Sequence, residues 1–380
     1  MQLQLAPMRR TPNHSIKRHR GLIGVMHFML MLMAIGLSND GYAVSFSPNR
    51  ADFLYNMYDG DGTTVSGPSI LVQKTMSPNS TIGVHYFADV ISSASIETSA
   101  GTYQDRRNEI GLDVEYGHSA AILNVGFDSV QEDDFSAKVL EFDISQDVFN
   151  GSATLHLGGS RSWDTIQKKG TKFEADASRY AYRVGATSLI TSKTAVNIDY
   201  EAIIDEGYLA NPYSSARILG ATAQEKIPLN RTMQAVAIRL AQSLTSRFSI
   251  ATDYRYFWDS WGIDSHTVEP RLSVQLGARW LAEIKARYYT QTEAAFYADN
   301  FAQELNYMSR DKLLSRFSSY SMGFKVQLEL FGKLWRLHRG TVSIGYDKMY
   351  VDYDNFTDNS TNAPHAFSAG LTQTMLSIWY

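Results

Sequence analysis

The chain has 380 residues, a formal net charge of −4 and no cysteine. The slight acidity offers no electrostatic footprint for nucleic acid, and the missing thiols exclude disulfides, thiolate metal sites and a cysteine nucleophile. Aromatic residues make up 12 % of the chain, with 22 tyrosines, a balance that argues against a helical membrane protein and leaves β-barrels open.

The first segment reads as a secretory signal. Arg9, Arg10, Lys17, Arg18 and Arg20 form a basic start, residues 21–37 are apolar apart from His27, and Gly41 and Ala43 fit a cut after Ala43. The expectation is Sec-type export, with 1–43 a signal peptide and 44–380 one domain. An uncleaved anchor and a translation start at Met8 are the alternatives. No later apolar run approaches the roughly 20 residues a membrane helix needs.

From there the chain reads in twos, which means strands. Strand-like segments fall at 51–58, 66–75, 80–92, 107–117, 119–129, 135–148, 151–163, 173–189, 193–204, 229–243, 247–258, 265–276, 279–291, 315–330, 335–351 and 366–380. The predicted fold is all-β, a transmembrane antiparallel up-and-down β-barrel of about sixteen strands, with 14 or 18 as alternatives. Every second connection is tight: Ser77–Ser80, Gly117-His118, Asn150-Gly151, Thr191–Lys193, Leu244–Ser246 and Leu276–Ala278. The intervening ones are longer and polar: Ser92–Arg106, Trp163–Lys172, Asp205–Leu229, Thr292–Leu314 and Asp352–His365. Short turns at one end and long loops at the other suit an outer-membrane barrel better than a soluble sandwich.

The alternation assigns two faces. Ile110, Leu112, Val114 and Tyr116, then Val236, Ile238 and Leu240, then Trp280, Ala282, Ile284 and Tyr288 are predicted to face lipid. The predicted lumen charges are Asp113, Glu115, Glu141, Asp143, Arg179, Arg183, Asp199, Glu201, Arg239, Arg255, Glu283, Lys285 and Arg287. The chain closes on alternating Leu376, Ile378 and Tyr380. Such an ending resembles the signal read by the barrel-assembly machinery, which with outer-membrane lipid is an expected partner.

Several motifs are similar to the DUF3570 family of proteobacterial proteins. They are Gly207–Tyr213, Tyr254–Ile263, Ser265–Thr267, Arg287–Thr292, Ala295–Tyr297 and Ser309–Leu314, with Asp89–Ser95 upstream. Ser214 departs from the pattern, where an arginine is expected. The resemblance implies an outer-membrane location and a barrel fold, and no established activity.

The motif-rich segments are predicted to share the long-loop rim. Tyr213, Asp259, Trp261, Asp264, His266, Arg310 and Asp311 are the candidate binding residues there. The competing reading makes Trp258, Trp261, Tyr288 and Tyr289 girdle aromatics. Asp264-Ser265-His266 invites a hydrolase reading, yet neighbours on a strand point to opposite faces, so Ser265 and His266 cannot pair. Asp59–Gly62 and Asp352–Asn359 are oxygen-rich, but neither is a complete calcium loop. No metal, cofactor or catalytic residue is therefore expected. The leading function is a porin-like or export channel with a charged lumen and a loop-constricted mouth. A non-conducting barrel docking an envelope protein is the alternative, and an outer-membrane hydrolase the weakest.

Overall fold

The computed structural model of the protein describes residues 48–93, 103–358 and 361–380. The expected signal peptide, 1–43, and the middle of the Ser92–Arg106 connection lie outside them. The strands are β1 (Arg50–Gly60), β2 (Thr63–Ser77), β3 (Ser80–Ser93), β4 (Tyr103–His118), β5 (Ala121–Gln131) and β6 (Phe135–Val148). They continue with β7 (Ala153–Gln167), β8 (Glu174–Thr191), β9 (Thr194–Gly207), β10 (Ser215–Ile218), β11 (Ala221–Gln224) and β12 (Asn230–Ser243). The last are β13 (Phe248–Asp259), β14 (Asp264–Leu276), β15 (Trp280–Gln291), β16 (Phe317–Phe331), β17 (Arg339–Thr357) and β18 (Pro364–Trp379). All but β10 and β11 pair with their neighbours in one closed antiparallel sheet. Closure comes from β1 on β18, with Arg50 opposite Trp379 and Gly60 opposite Ala369. It leaves no exposed strand edge.

All sixteen predicted strands are present. The structure adds the β10–β11 hairpin inside the Asp205–Leu229 connection. It also corrects the loop lengths. Trp163–Gln167 and Asp352–Thr357 are strand, so only 208–229 and 292–316 are long among the fully described connections. Asp59–Gly62 is a tight turn, with positive φ at Asp61 and Gly62. Such backbone fits the twist of two paired strands.

Register decides which side chains share a face. Val72, Val84, Leu112, Phe127 and Leu140 lie side by side on β2 to β6. Ile250, Leu272, Ile284, Phe324 and Tyr346 do the same on β13 to β17. Ile284 is 58 % exposed and Leu112 47 %. An apolar row this continuous and this open has lipid as its natural solvent. The predicted outward residues all fall on this face, and the predicted lumen charges all fall on the other.

The strands outlast the membrane. A tilted span needs about 9–11 residues, whereas β17 has 19 and β8 has 18. On β7 and β17 the residues added to the expected strands, Asp164–Gln167 and Asp352–Thr357, lie at the long-loop end.

Candidate functional site: the charged lumen and its capped mouth

Two loops fold together over part of the mouth. The β9–β12 connection carries β10–β11, and the β15–β16 connection carries a single 3-10 turn at Lys312–Leu314. They meet at Ile218 beside Phe301, and at Lys226 and Met308, which exchange backbone hydrogen bonds of 2.9 and 2.7 Å. Ala216, Phe301 and Met308 form a small dry core between them. A second core joins Trp261 and Ile263 of the β13–β14 turn to Ala294, Tyr297 and Leu314, with Phe257 of the inner wall packed against it. Apolar burial thus fixes the loops onto the barrel.

Polar anchors extend this cap across the mouth. Lys312 Nζ reaches Asp61 Oδ2 of the β1–β2 turn at 2.6 Å, and His365 Nε2 lies 2.9 Å from the other oxygen. Lys168 Nζ donates to the Pro212 carbonyl at 2.8 Å, tying the β7–β8 loop to the other edge. Arg310 is buried. It donates to Asp299 and to the Thr357 carbonyl, and its guanidinium lies 4.4 Å over the Phe356 ring. Tyr297 donates to the Asn355 carbonyl at 2.9 Å, and burial pushes its phenol up.

Under the cap lies a cavity of about 430 Å³. Arg179, Asp205, Arg231 and Arg255 line its wall, and Asn211, Glu225 and Asp311 its roof. Arg179 grips Asp205 with two hydrogen bonds of 2.8 and 3.0 Å. Asp311 accepts from Leu313 N at 2.9 Å, capping the 3-10 turn. Burial holds its carboxyl above the usual range, against the pull of that N–H and of Lys312.

The predicted rim residues separate into three groups. Asp259, Trp261, Arg310 and Asp311 hold the cap. Asp259 accepts from the backbone N–H of Trp261 and Ile263, both at 2.9 Å, and pairs with Arg231. Tyr213 sits at the cap edge, accepting from Lys169 N, with Lys168 Nζ over its ring. Asp264 and His266 share the outward face with Tyr254 and Tyr256. His266 lies between those two rings, and its Nδ1 is 2.9 Å from the Tyr254 hydroxyl. Ser265 turns inward and is buried. Trp258 and Tyr288 face outward, as a girdle requires, and two other aromatics do not. Trp261 is buried because its turn folds into the cap, and Tyr289 lies on the inner face, opposite Thr267 and Ser319.

Below the cap, the inner wall is charged in two opposed sectors. Glu109, Asp113, Glu115, Asp128, Glu141 and Asp143 project from β4–β6. Arg239, Arg255, Arg271, Lys285, Arg287 and Lys325 project from β12–β16. In the ring order, β14–β15 lies eight strands from β4–β5 in a closed sheet of sixteen, so these sectors face one another. On the acidic side, His85 lies 3.0 Å from Asp128, 3.4 Å from Asp113 and 3.8 Å from Glu109. Gly111 makes the room, since a Cβ there would come within 2.1 Å of both Asp128 and His85. Glu109, His85 and Asp128 could also hold a divalent cation. Sequence spacing does not flag them, because they come from three strands.

Fold and lumen define a class: a closed transmembrane β-barrel of the outer-membrane type, with an ordered loop cap. Residues 171–341 match the family model described as "Protein of unknown function (DUF3570)", a stretch that runs from β8 into β17 and takes in both cap loops. No curated protein matches the sequence. Among solved structures, the siderophore receptor PirA from Pseudomonas aeruginosa is 9 % identical, with a TM-score of 0.47 over 88 % of this chain and 66 % of that one. A bacterial polysaccharide outer membrane secretin is 6 % identical, with a TM-score of 0.48 over 88 % and 100 %. The CymD monoaromatic hydrocarbon channel is 10 % identical, with a TM-score of 0.43 over 92 % and 97 %. These likenesses concern the barrel alone, and this chain spans less than two thirds of the PirA receptor.

Proposed function

We propose that the protein is an outer-membrane channel for small polar solutes, its mouth narrowed on one side by the loop cap. The observation that carries this reading is the openness of the inner wall. The Arg239 side chain is 57 % exposed and that of Arg183 49 %, although both face into a closed barrel. Side chains that filled the lumen would bury each other. About sixteen strands enclose more space than inward side chains occupy, and charged groups at that wall imply water beside them. The outward apolar rows place lipid around the barrel, and the tight-turn end, which holds both described ends of the sheet, faces the periplasm. Single-channel recording in planar bilayers tests the reading. Stepwise conductance from folded, heat-modifiable protein is expected; folded protein that inserts without conducting would favour a blocked barrel that docks partners.

A further inference from the structure

We propose that the lumen favours small zwitterions, solutes bearing separated positive and negative charges, over uncharged solutes of the same size. The inference rests on the channel reading above and names the solute class. Its basis is the segregation of charge between two walls that face each other.

Local pairing does not cancel that segregation. On the basic wall, Asp253 is shared by Arg239 and Arg271, and Glu269 lies 3.1 Å from the same Arg271. Arg255 pairs with Glu201 at 3.5 Å and Lys285 with Asp347 at 3.0 Å. Arg287 and Lys325 make no ion pair among the described residues, and Glu283, opposite Lys325, is the one carboxylate set against those two cations in the β15–β16 register, so positive charge is left over. On the acidic wall, Arg107 pairs with Glu109 at 2.9 Å and Arg183 with Asp143 at 3.4 Å. The ion pairs of Asp113 and Asp128 both run to His85 alone. Negative charge is left over there.

Opposite surpluses across a narrow aqueous gap with low-dielectric walls make a field perpendicular to the pore axis. A cation is drawn to one wall and repelled by the other, and an anion the reverse, so neither sign gains strongly. A zwitterion gains at both ends by turning its ammonium toward β4–β6 and its carboxylate toward β12–β16. An uncharged solute gains little and still displaces ordered water from the charged walls.

Swelling of liposomes that carry the full folded barrel tests this, with glycine against its uncharged isomer glycolamide and protein-free vesicles as background. Glycine is expected to enter several-fold faster. Two paired variants read the walls separately: Asp113→Asn with Glu141→Gln, and Arg287→Gln with Lys325→Gln. Each should reduce the glycine preference, and in a potassium chloride gradient they should shift ion selectivity in opposite directions, the first toward anions and the second toward cations. Heat-modifiable migration confirms that each variant is folded. Conductance with equal entry of the two isomers, or shifts of the same sign in both variants, overturns the inference alone. Folded wild-type barrel with neither swelling nor conductance overturns the channel reading and this inference with it.

Discussion

The two halves of the barrel wall are built from the same alternating unit and end differently at the mouth. Along β12–β18 the upper inner face carries apolar clusters on which the cap loops and the strand ends pack. Phe257 packs under the cap, and Val351, Tyr353 and Phe356 form a dry cluster with Phe317 and Phe367 beside it. Along β3–β6 the inner face carries carboxylates around His85, held in place by small residues such as Gly111. The contrast shows how one wall can do two jobs. A strand fixes only which residues point inward; whether those are aromatic or charged decides if a loop docks there or water stays.

The largest expected effect breaks the covered half. Trp261→Ala removes the indole at the centre of the cap core and its hydrogen bond to the Asn230 carbonyl, and should cost about 3–5 kcal/mol. That cost should appear as new protease sensitivity in 292–316 while the barrel stays heat-modifiable. Cap and barrel lost together would contradict their separation. Next comes the division between faces on which both halves depend. Ile284→Arg, on the lipid face, should cost about 2–4 kcal/mol, and Gln275→Arg, facing the lumen, much less. Denaturant unfolding in vesicles checks this, and equal costs would refute the faces.

The carboxylate half is sharpened by Gly111→Ala, where overpacking against Asp128 and His85 should cost about 1–3 kcal/mol. The comparison substitution is Gly345→Ala on β17, whose nearest contact would be an ordinary 3.4 Å. Unfolding midpoints should fall for the first and scarcely move for the second. The smallest effect loosens the edge between the halves. Lys312→Met removes the tether to Asp61, at about 1 kcal/mol for a part-exposed ion pair. Single-channel recording should then show a larger or noisier conductance; an unchanged trace would mean the tether does not hold the cap.

The barrel was legible in sequence because period-two alternation survives in every strand. Boundaries fell within six residues, the widest gap being the end of β17 at Thr357, and the predicted lumen charges share the inner face. The cap was less legible. β10 and β11 have four residues each, too few to display a period. Trp261 and Trp258 look alike in sequence, and only the inward fold of the turn separates them. Asp259 reads as a free rim carboxylate, whereas its two hydrogen bonds to backbone within four residues make it a turn former. His266 and Asp264 were placed at the right height, but register turns them outward. The opposed charge sectors needed ring order as well as register, and neither can be read from one strand at a time.

The cap-bearing and carboxylate-bearing halves can be read most directly with thiols, because the chain has no cysteine of its own. Val139→Cys places one thiol on the inner face of β6, opposite Asp128, and Ser319→Cys places one on the inner face of β16, opposite Val351. The measurement is the rate at which an uncharged, membrane-impermeant maleimide labels each from outside intact cells. Fast labelling at residue 139 and slow labelling at residue 319 is the expected result. Equal rates, or the reverse order, would contradict a cap that is anchored over β12–β18 and shields the inner face there.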